Sequence, residues 1–289
     1  MTVIAVAQLA PVIGRPELNR RTAADAVARA AAGGAGLVVL PELCDSGYVF
    51  TGAEEARGLA TPAGNSPTLR QWRELAAAHR TAIVGGFCEL GGDGLLYNSA
   101  ALVDASGTRA VYRKAHLWDR EKLVFTPGHE PSPVVALPFG RVAMCVCYDL
   151  EFPEWARLPA LDGADLIAAP VNWPAAPRPA GERPAEVVKA QADAATGGVF
   201  VAVADRCGTE RGVEWIGGSV IVGPDGYPLA GPVAAGRAAV LTADCDLARA
   251  RDKRITDHND LLADRRPELY SPVTWGQNGG VSDRTGPAA

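Results

Sequence analysis

The segment RVAMCVCYDLEFPEWARLPALDGADLIAAPV, residues 141–171, decides the fold of this chain. Residues 141–147 are apolar apart from Arg141 and predict a buried strand, and residues 152–163 predict a helix with Pro153 near its first turn. Residues 164–171 predict a second buried strand. Strands that alternate with helices in this way are typical of α/β proteins.

The same alternation extends outward in both directions, but β-hairpins interrupt it. The residues GGDG at 91–94 predict a hairpin in the first half, and the Pro-Asp-Gly turn at 224–226 predicts one in the second half. A core of two sheets covered by helices accommodates both features better than one doubly wound sheet. The other predicted strands cover residues 2–9, 36–42, 81–90, 95–104, 109–117, 199–208 and 238–247, and the other predicted helices cover 17–32, 66–80 and 184–196. The apolar stripe of the helix 17–32 is expected to comprise Leu18, Ala24, Val27, Ala28 and Ala31.

Composition and charge exclude several classes of function. The chain has 289 residues, of which 48% are hydrophobic, and shows no linker, so we expect one domain over residues 1–270 and a tail over 271–289. A net charge of −5 without any basic run argues against nucleic acids and anionic membranes as main partners. No apolar stretch reaches the roughly 18 residues of a membrane span. The opening MTVIAVAQLAPVIG lacks the basic start of a signal peptide, so we expect a cytoplasmic protein whose six cysteines are mostly reduced.

Three side chains of reactive types stand where predicted strands end, namely Glu42, Lys114 and Cys147. Catalytic groups of α/β proteins collect at the carboxyl ends of strands. A thiolate nucleophile, a carboxylate base and an ammonium beside an oxyanion suit attack on an acyl group. The helix that begins after Cys147, together with a neighbouring lysine, is expected to lower the pKa of its thiol. Only four of the 28 basic residues are lysine, which marks position 114 as one where a compact point charge is favoured over arginine.

The residues around these side chains resemble the nitrilase superfamily of carbon–nitrogen hydrolases. Three motifs carry the resemblance in the family's order, namely PELCDSGY at 41–48, YRKAHL at 112–117 and CYDLEFPE at 147–154. Further segments at 6–11, 199–208 and 217–226 extend it over nearly the whole chain. The resemblance implies a four-layer αββα sandwich of two mixed β-sheets covered by helices. It also implies the catalytic triad Glu42, Lys114 and Cys147, with Glu121 as a second glutamate that positions substrate.

The mechanism that the resemblance implies is covalent and requires no metal and no cofactor. Glu42 takes the thiol proton, Cys147 attacks an amide carbon, and Lys114 and the backbone N–H of Tyr148 hold the oxyanion. Ammonia or an amine leaves, and water then hydrolyses the thioester. Candidate substrate-binding residues are Asn172 and Trp173, which resemble a family segment near the pocket, and Tyr48, which lies close to Glu42 in the sequence.

The substrate expected from the sequence is a small, aliphatic amide. Tyr148-Asp149 after the nucleophile resembles the amidase and carbamoylase branches of the family more than the nitrilases proper. Repulsion between Glu42 and Glu121 is expected to keep one carboxyl protonated near neutral pH, which suits departure of an amine. N-carbamoyl compounds are the second choice and nitriles the third. A homodimer or larger homo-oligomer is expected, formed through the helix 152–163.

Other interpretations of the same residues stay open at this point. A papain-like pair would use His116 or His129 as the base for the cysteine. Cys145, Cys147 and a histidine could ligate a metal, although the C-x-C spacing is not that of a zinc finger. A dinucleotide site is disfavoured because no G-x-G-x-x-G joins a strand to a helix. A non-enzymatic binding module on the same fold would be favoured by loss of a triad residue, and all three are present.

Overall fold

This computed structural model describes residues 1–233 and 236–270, so the predicted tail 271–289 lies outside the described residues. Contacts group Met1–Asp252 into one compact unit, and a second, small unit begins at Lys253. The described part of the second unit contains a short hairpin and a 3-10 turn, Pro267–Leu269. The domain boundary at residue 270 stays a prediction.

The chain order of the elements follows the predicted alternation of strands and helices. The helices are α1 (Pro16–Ala32), α2 (Ala53–Leu59), α3 (Pro67–His79), α4 (Pro153–Leu161) and α5 (Ala185–Gly197). The strands are β1 (Thr2–Gln8), β2 (Ala35–Val39), β3 (Ala82–Leu90), β4 (Leu96–Asp104), β5 (Gly107–Arg113), β6 (Val135–Leu137), β7 (Gly140–Met144), β8 (Leu166–Pro170), β9 (Phe200–Ala204), β10 (Thr209–Glu210), β11 (Val213–Glu214), β12 (Val220–Val222), β13 (Pro228–Ala230), β14 (Ala239–Cys245), β15 (Arg254–Thr256) and β16 (Asn259–Asp260).

Two six-stranded sheets form the centre of the first unit. The first has the strand order β14-β1-β2-β3-β4-β5 and the second β13-β12-β9-β8-β7-β6. Both sheets are mixed, because β1, β2 and β3 lie parallel as do β7, β8 and β9, whereas the remaining neighbours are antiparallel. The hairpins predicted at 91–94 and 224–226 join β3 to β4 and β12 to β13.

Alternating side chains of β1 show how the layers stack. Ala5 and Ala7 pack with buried residues of α1 and α3, whereas Ile4 and Val6 pack with the second sheet. Successive side chains of a strand point to opposite faces, so the first sheet is covered by helices outside and by the second sheet inside. Helices α4 and α5 pack on the second sheet. The four-layer αββα sandwich is therefore confirmed.

The buried face of α1 differs from the predicted stripe. Of the predicted residues only Val27 is buried, because the helix is rotated so that its own polar residue Asn19 faces the core. The Asn19 amide accepts from Val12 N at 2.8 Å and donates to Val12 O and Asp45 O. These bonds satisfy a buried polar side chain, so it can face the core. The buried residues are Asn19, Ala23, Ala26, Val27 and Ala30.

The strand ends bring together the residues that the sequence singled out. The strands β2 and β5 of the first sheet end before Glu42 and Lys114, and β7 of the second sheet ends before Cys147. Three of these strands stop earlier than predicted, β2 at Val39, β5 at Arg113 and β7 at Met144, so Glu42, Lys114 and Cys147 lie in the segments that follow them. No helix of the described residues is both long and apolar enough to cross a membrane.

Candidate active site

Glu42 and Lys114 form a fully buried ion pair. Lys114 Nζ donates to Glu42 Oε1 at 2.7 Å, and both side chains are 0% exposed. The Asn98 amide on β4 donates to the same oxygen at 2.7 Å. Glu42 Oε2 has no hydrogen-bond partner among the described residues. One carboxylate oxygen is therefore held in place, and the other is left to accept a proton.

Glu121 is the second carboxylate on the lysine. Lys114 Nζ donates to Glu121 Oε1 at 2.8 Å, and the Tyr48 hydroxyl donates to the same oxygen. Glu121 Oε2 accepts from Trp118 N at 3.2 Å, which fixes the carboxylate at the start of its 3-10 turn. The ammonium has three N–H donors, of which the two carboxylates engage two, so one donor remains for a further acceptor.

Cys147 begins the 3-10 turn Cys147–Glu151 with a left-handed backbone, φ +48°. Residues other than glycine adopt this conformation at a cost, and such strain is frequent at functional sites. The thiol is buried and donates to Asn172 O at a Sγ–O distance of 3.6 Å. Asn172 follows β8, and its Nδ2 donates to Glu42 O at 2.9 Å, so Asn172 joins the cysteine to the glutamate.

Burial governs the charges of this cluster. It raises the pKa of Glu42 to about 7, and the Glu121 charge adds to this while Lys114 opposes it. Burial opposes the charge of Lys114, but Glu121 and Glu42 outweigh that effect and raise the pKa of the lysine. Glu42 is therefore partly protonated near neutral pH, but burial rather than the predicted repulsion between the carboxyls is the main cause.

The thiol of Cys147 departs from the sequence prediction. Burial raises its pKa well above the usual value, Glu42 and Glu121 raise it further, and only Lys114 lowers it. The predicted helix, α4, begins only at Pro153, and the 3-10 turn Cys147–Glu151 separates it from the thiol, so its positive end does not lower the pKa of the cysteine. The Cys147 thiol is therefore neutral, and attack by its sulfur would require a base to take the proton.

The predicted substrate-binding residues do not all lie at the cluster of Glu42, Lys114 and Cys147. The half-buried Tyr148 ring contacts the rings of Trp118 and Phe152, with centroids 4.8 and 5.1 Å away. Trp173 is buried in the core, and its backbone N–H donates to Asp205 at 3.0 Å. The structure thus brings Tyr48 and Asn172 to the cluster, whereas Trp173 supports the chain beside it.

A pocket of about 170 Å³ opens beside Glu121. Its walls are largely apolar and include several aromatic rings, of which Tyr48 meets Trp215 edge to face with centroids 5.3 Å apart. Sequence reasoning missed most of this lining, because aromatic residues from distant segments meet here only in the fold. Besides Glu121, the lining includes Tyr48, Phe50, Trp118, Phe125, Pro174 and Trp215.

A buried ion pair supports the pocket wall. Arg206 donates to both Glu210 oxygens at 3.0 Å, and its guanidinium lies 4.6 Å from the centre of the Trp215 ring. Glu210 in turn accepts from the backbone N–H groups of Tyr48 and Val49 at 2.9 and 2.8 Å. One ion pair therefore fixes the two pocket residues Tyr48 and Trp215.

We expect Arg206→Met to destabilise the protein by about 3–5 kcal/mol, because it leaves Glu210 buried without its counter-charge. Urea unfolding measures the change. The matched control is Arg211→Met, which breaks a half-exposed pair with Glu55 and should cost about 1 kcal/mol or less. Equal losses in the two variants would show that burial of Arg206 adds nothing.

The alternative catalytic readings find no support in the geometry. His116 Nδ1 bonds Asp149 at 2.8 Å and its ring stacks on Phe152, with centroids 3.9 Å apart. His129 lines a separate pocket together with Arg113. Among the described residues, neither histidine ring forms a hydrogen bond with Cys147. In residues 1–233 and 236–270, no group of three or more His, Cys, Asp or Glu side chains could hold a metal ion.

Comparison with known proteins agrees with this arrangement. The family model described as carbon-nitrogen hydrolase matches residues 3–255. A protein named nitrilase from Pyrococcus abyssi is 39% identical over 272 residues, which is 93% of this chain and 99% of that protein. An (R)-stereoselective amidase from Pseudomonas sp is 33% identical, with 94% of each chain covered. An N-carbamoylputrescine amidase from Arabidopsis thaliana is 32% identical over 84% of this chain and 86% of its own.

Solved structures of an amidase from Nesterenkonia sp. AN1 share the fold. One of them superimposes with a TM-score of 0.77 at 30% identity, and covers 94% of this chain and 99% of its own. That structure shows the result of Michael addition of acrylamide at the active site cysteine of the amidase. Together with the match over residues 3–255, these similarities confirm the resemblance predicted from the three motifs. The chain belongs to the carbon–nitrogen hydrolase family of the nitrilase superfamily.

Proposed function

We propose that the protein hydrolyses small primary amides through a thioester on Cys147, with Glu42 as base and Lys114 as oxyanion donor. The observation that supports this most strongly is the fully buried lysine held between two carboxylates beside a neutral thiol. Burial of charged groups is unfavourable, and such groups with shifted pKa values are typical of catalytic sites.

In the first half-reaction, Glu42 Oε2 accepts the thiol proton as Cys147 Sγ bonds to the amide carbon. The amide oxygen becomes an oxyanion, which accepts from the third N–H of Lys114 and from the backbone N–H of Tyr148. A donor of this kind lowers the barrier by about 3–4 kcal/mol. When the intermediate collapses, the C–N bond breaks and Glu42 returns the proton to the departing nitrogen.

In the second half-reaction, a water molecule attacks the thioester carbon while Glu42 accepts one of its protons. Collapse of the second intermediate breaks the C–S bond and the thiolate takes the proton back. The products are the carboxylic acid and the free enzyme, and the same glutamate serves as base and acid in both halves.

Kinetics on an amide and the nitrile of the same carbon skeleton test this proposal, read by ammonia release. The expected result is a higher kcat/KM for the amide, because Glu42 is placed to protonate a departing amine. A higher value for the nitrile, with acid as product, would overturn it. N-carbamoyl amines are the second candidate substrates, since the relatives include N-carbamoylputrescine amidases.

The pH dependence of kcat/KM should report the Glu42 carboxyl. Its pKa is raised from 4.5 to about 7, and the base form predominates only above that value. The rate should therefore rise with pH through about 7 and fall about tenfold per unit well below it. A profile that is flat from pH 5 to pH 8 would contradict the assignment of Glu42 as base.

We further propose a homodimer formed through α4 and α5, which pack against each other. Three large apolar side chains on these helices are exposed, namely Leu158, Leu161 and Val188. A second copy that covers them would remove this apolar area from water. Light scattering at micromolar concentration should give twice the chain mass, and Val188→Glu should lower it; a monomer for the unaltered chain would refute the proposal.

A further inference from the structure

Buried acceptors without partners cluster around Glu42. Among the described residues, the buried side-chain atoms that make no hydrogen bond include Glu42 Oε2, Asn98 Oδ1 and Asn172 Oδ1. Both asparagines use their Nδ2 on Glu42, with Asn98 bonded to its carboxylate and Asn172 to its backbone carbonyl. All three free atoms are oxygens. The site therefore has an excess of acceptors, which N–H groups of a ligand would satisfy.

The orientation of the Asn172 amide is fixed by its bond to Glu42. A backbone carbonyl can only accept, so the atom 2.9 Å from Glu42 O must be the Nδ2 donor. Oδ1 is then the atom left over, and Asn172 is 1% exposed. Water at the surface cannot satisfy this oxygen, and a buried acceptor left unpaired is unfavourable.

Asn172 also stands between the nucleophile and the base. Its backbone carbonyl accepts from Cys147 at 3.6 Å, and its side chain reaches Glu42 at 2.9 Å. In the proposed reaction, the departing nitrogen must lie next to Glu42, from which it takes a proton, and within bonding distance of the carbon on Cys147. Asn172 contacts both Cys147 and Glu42, so it borders the place where this nitrogen must lie.

We propose that Asn172 Oδ1 accepts an N–H hydrogen bond from the leaving nitrogen of the scissile amide. Asn172 then selects substrates that carry N–H on the leaving atom over esters, which carry none. The inference rests on the proposed function and specifies its leaving-group preference. Asn98 lies elsewhere in the site. It is on β4, and its backbone carbonyl accepts from the backbone N–H of Lys114 at 2.9 Å.

The test compares an amide with the methyl ester of the same acid in Asn172→Leu. Both substrates form the same thioester, so kcat/KM differs between them only through the leaving group. Loss of the Asn172 contact should lower the amide-to-ester ratio of kcat/KM on the order of 10- to 100-fold. A residue that only positions Glu42 would slow both substrates equally and leave the ratio unchanged.

Asn98→Leu is the matched control, because it also removes an Nδ2 donor from Glu42. It should slow both substrates and keep the ratio of the unaltered enzyme. Asn172→Asp is the second variant. It keeps the shape of the side chain and an acceptor oxygen, but it loses the Nδ2 donor. It should slow both substrates yet preserve the ratio, and it serves also where the leucine variant fails to fold.

Any of three results for the amide-to-ester ratio of kcat/KM would overturn the inference. The ratio could stay unchanged in Asn172→Leu, fall equally in Asn98→Leu, or fall in Asn172→Asp. The unaltered enzyme separates this outcome from failure of the proposed function. If it releases ammonia from the amide and Cys147→Ala does not, the proposed function stands whatever the ratio shows. If it releases none, both proposals fail.

Discussion

Cys147→Ala should fold normally and lose turnover by about six orders of magnitude, as expected when a covalent nucleophile is removed from a concerted set. The reason is chemical, since the Cys147 thiol lies against Asn172, which bonds Glu42, and a thiol can bond the acyl carbon whereas a methyl group cannot. The thiol is also small and buried, so alanine fills most of its space at little cost in stability. Ammonia release from the amide measures the rate, and thermal unfolding checks the fold.

The matched control for this variant is Cys145→Ala, two residues earlier in the chain and directly after β7. Cys145 is buried in the core and donates to no residue of the cluster, so the variant should retain most of its activity. Turnover by Cys147→Ala at the rate of the unaltered enzyme, or loss of turnover in Cys145→Ala alone, would show that the nucleophile has been assigned to the wrong cysteine.

Lys114→Ala should lower kcat by three orders of magnitude or more. Loss of an oxyanion donor alone lowers kcat by roughly 10²- to 10³-fold, and a second effect, on the pKa of Glu42, adds to it. The second effect concerns Glu42, whose pKa is already raised to about 7 against the opposing influence of Lys114. Without the ammonium the pKa rises further and the base form becomes scarce. The loss should appear in kcat and not merely in KM, because both effects act on the transition state.

Lys114→Arg should fail as well. The ammonium lies 2.7 Å from Glu42 and 2.8 Å from Glu121 in a fully buried site, which fits a point charge and has no room for a planar guanidinium. Lys122→Arg on the exposed side of the 3-10 turn is the control and should remain active. Activity of Lys114→Arg within tenfold of the unaltered enzyme would sink the argument from size and geometry.

The strand-end positions of the triad residues could be predicted from the sequence. Apolar runs stop before Glu42 and Cys147, and runs of this kind are typical of buried strands. Lys114 follows the edge strand β5, in which only Tyr112 is buried. Their assembly in one place could not be inferred from spacing, since it depends on two sheets meeting face to face. The three motifs supplied that information through the family, which the match over residues 3–255 confirms.

The electrostatics of the site could not be predicted, because they depend on burial. Sequence reasoning gave Cys147 a lowered pKa from its position before a helix, but the complete burial of the thiol outweighs that effect. Asn98 went unnoticed for a related reason. An asparagine within a strand carries no signal of its own, and only the fold shows that its amide meets Glu42.

Helix α1 illustrates a further limit of pattern reading. Its sequence is rich in alanine, which fits either face of a helix, so the apolar stripe has little contrast. The polar Asn19 decides the rotation through three hydrogen bonds to Val12 and Asp45. These bonds join the helix to residues outside it, and the periodicity of the helix sequence does not report them.

The most direct test of the account is mass spectrometry of the enzyme quenched during turnover of a small amide. One acyl adduct is expected on the peptide that contains Cys147, formed in the unaltered enzyme and absent from Cys147→Ala. Glu42→Gln should also lack it, because the neutral thiol then keeps its proton. An adduct on another cysteine, or ammonia release at full rate with no adduct under conditions that trap thioesters, would contradict covalent catalysis by Cys147.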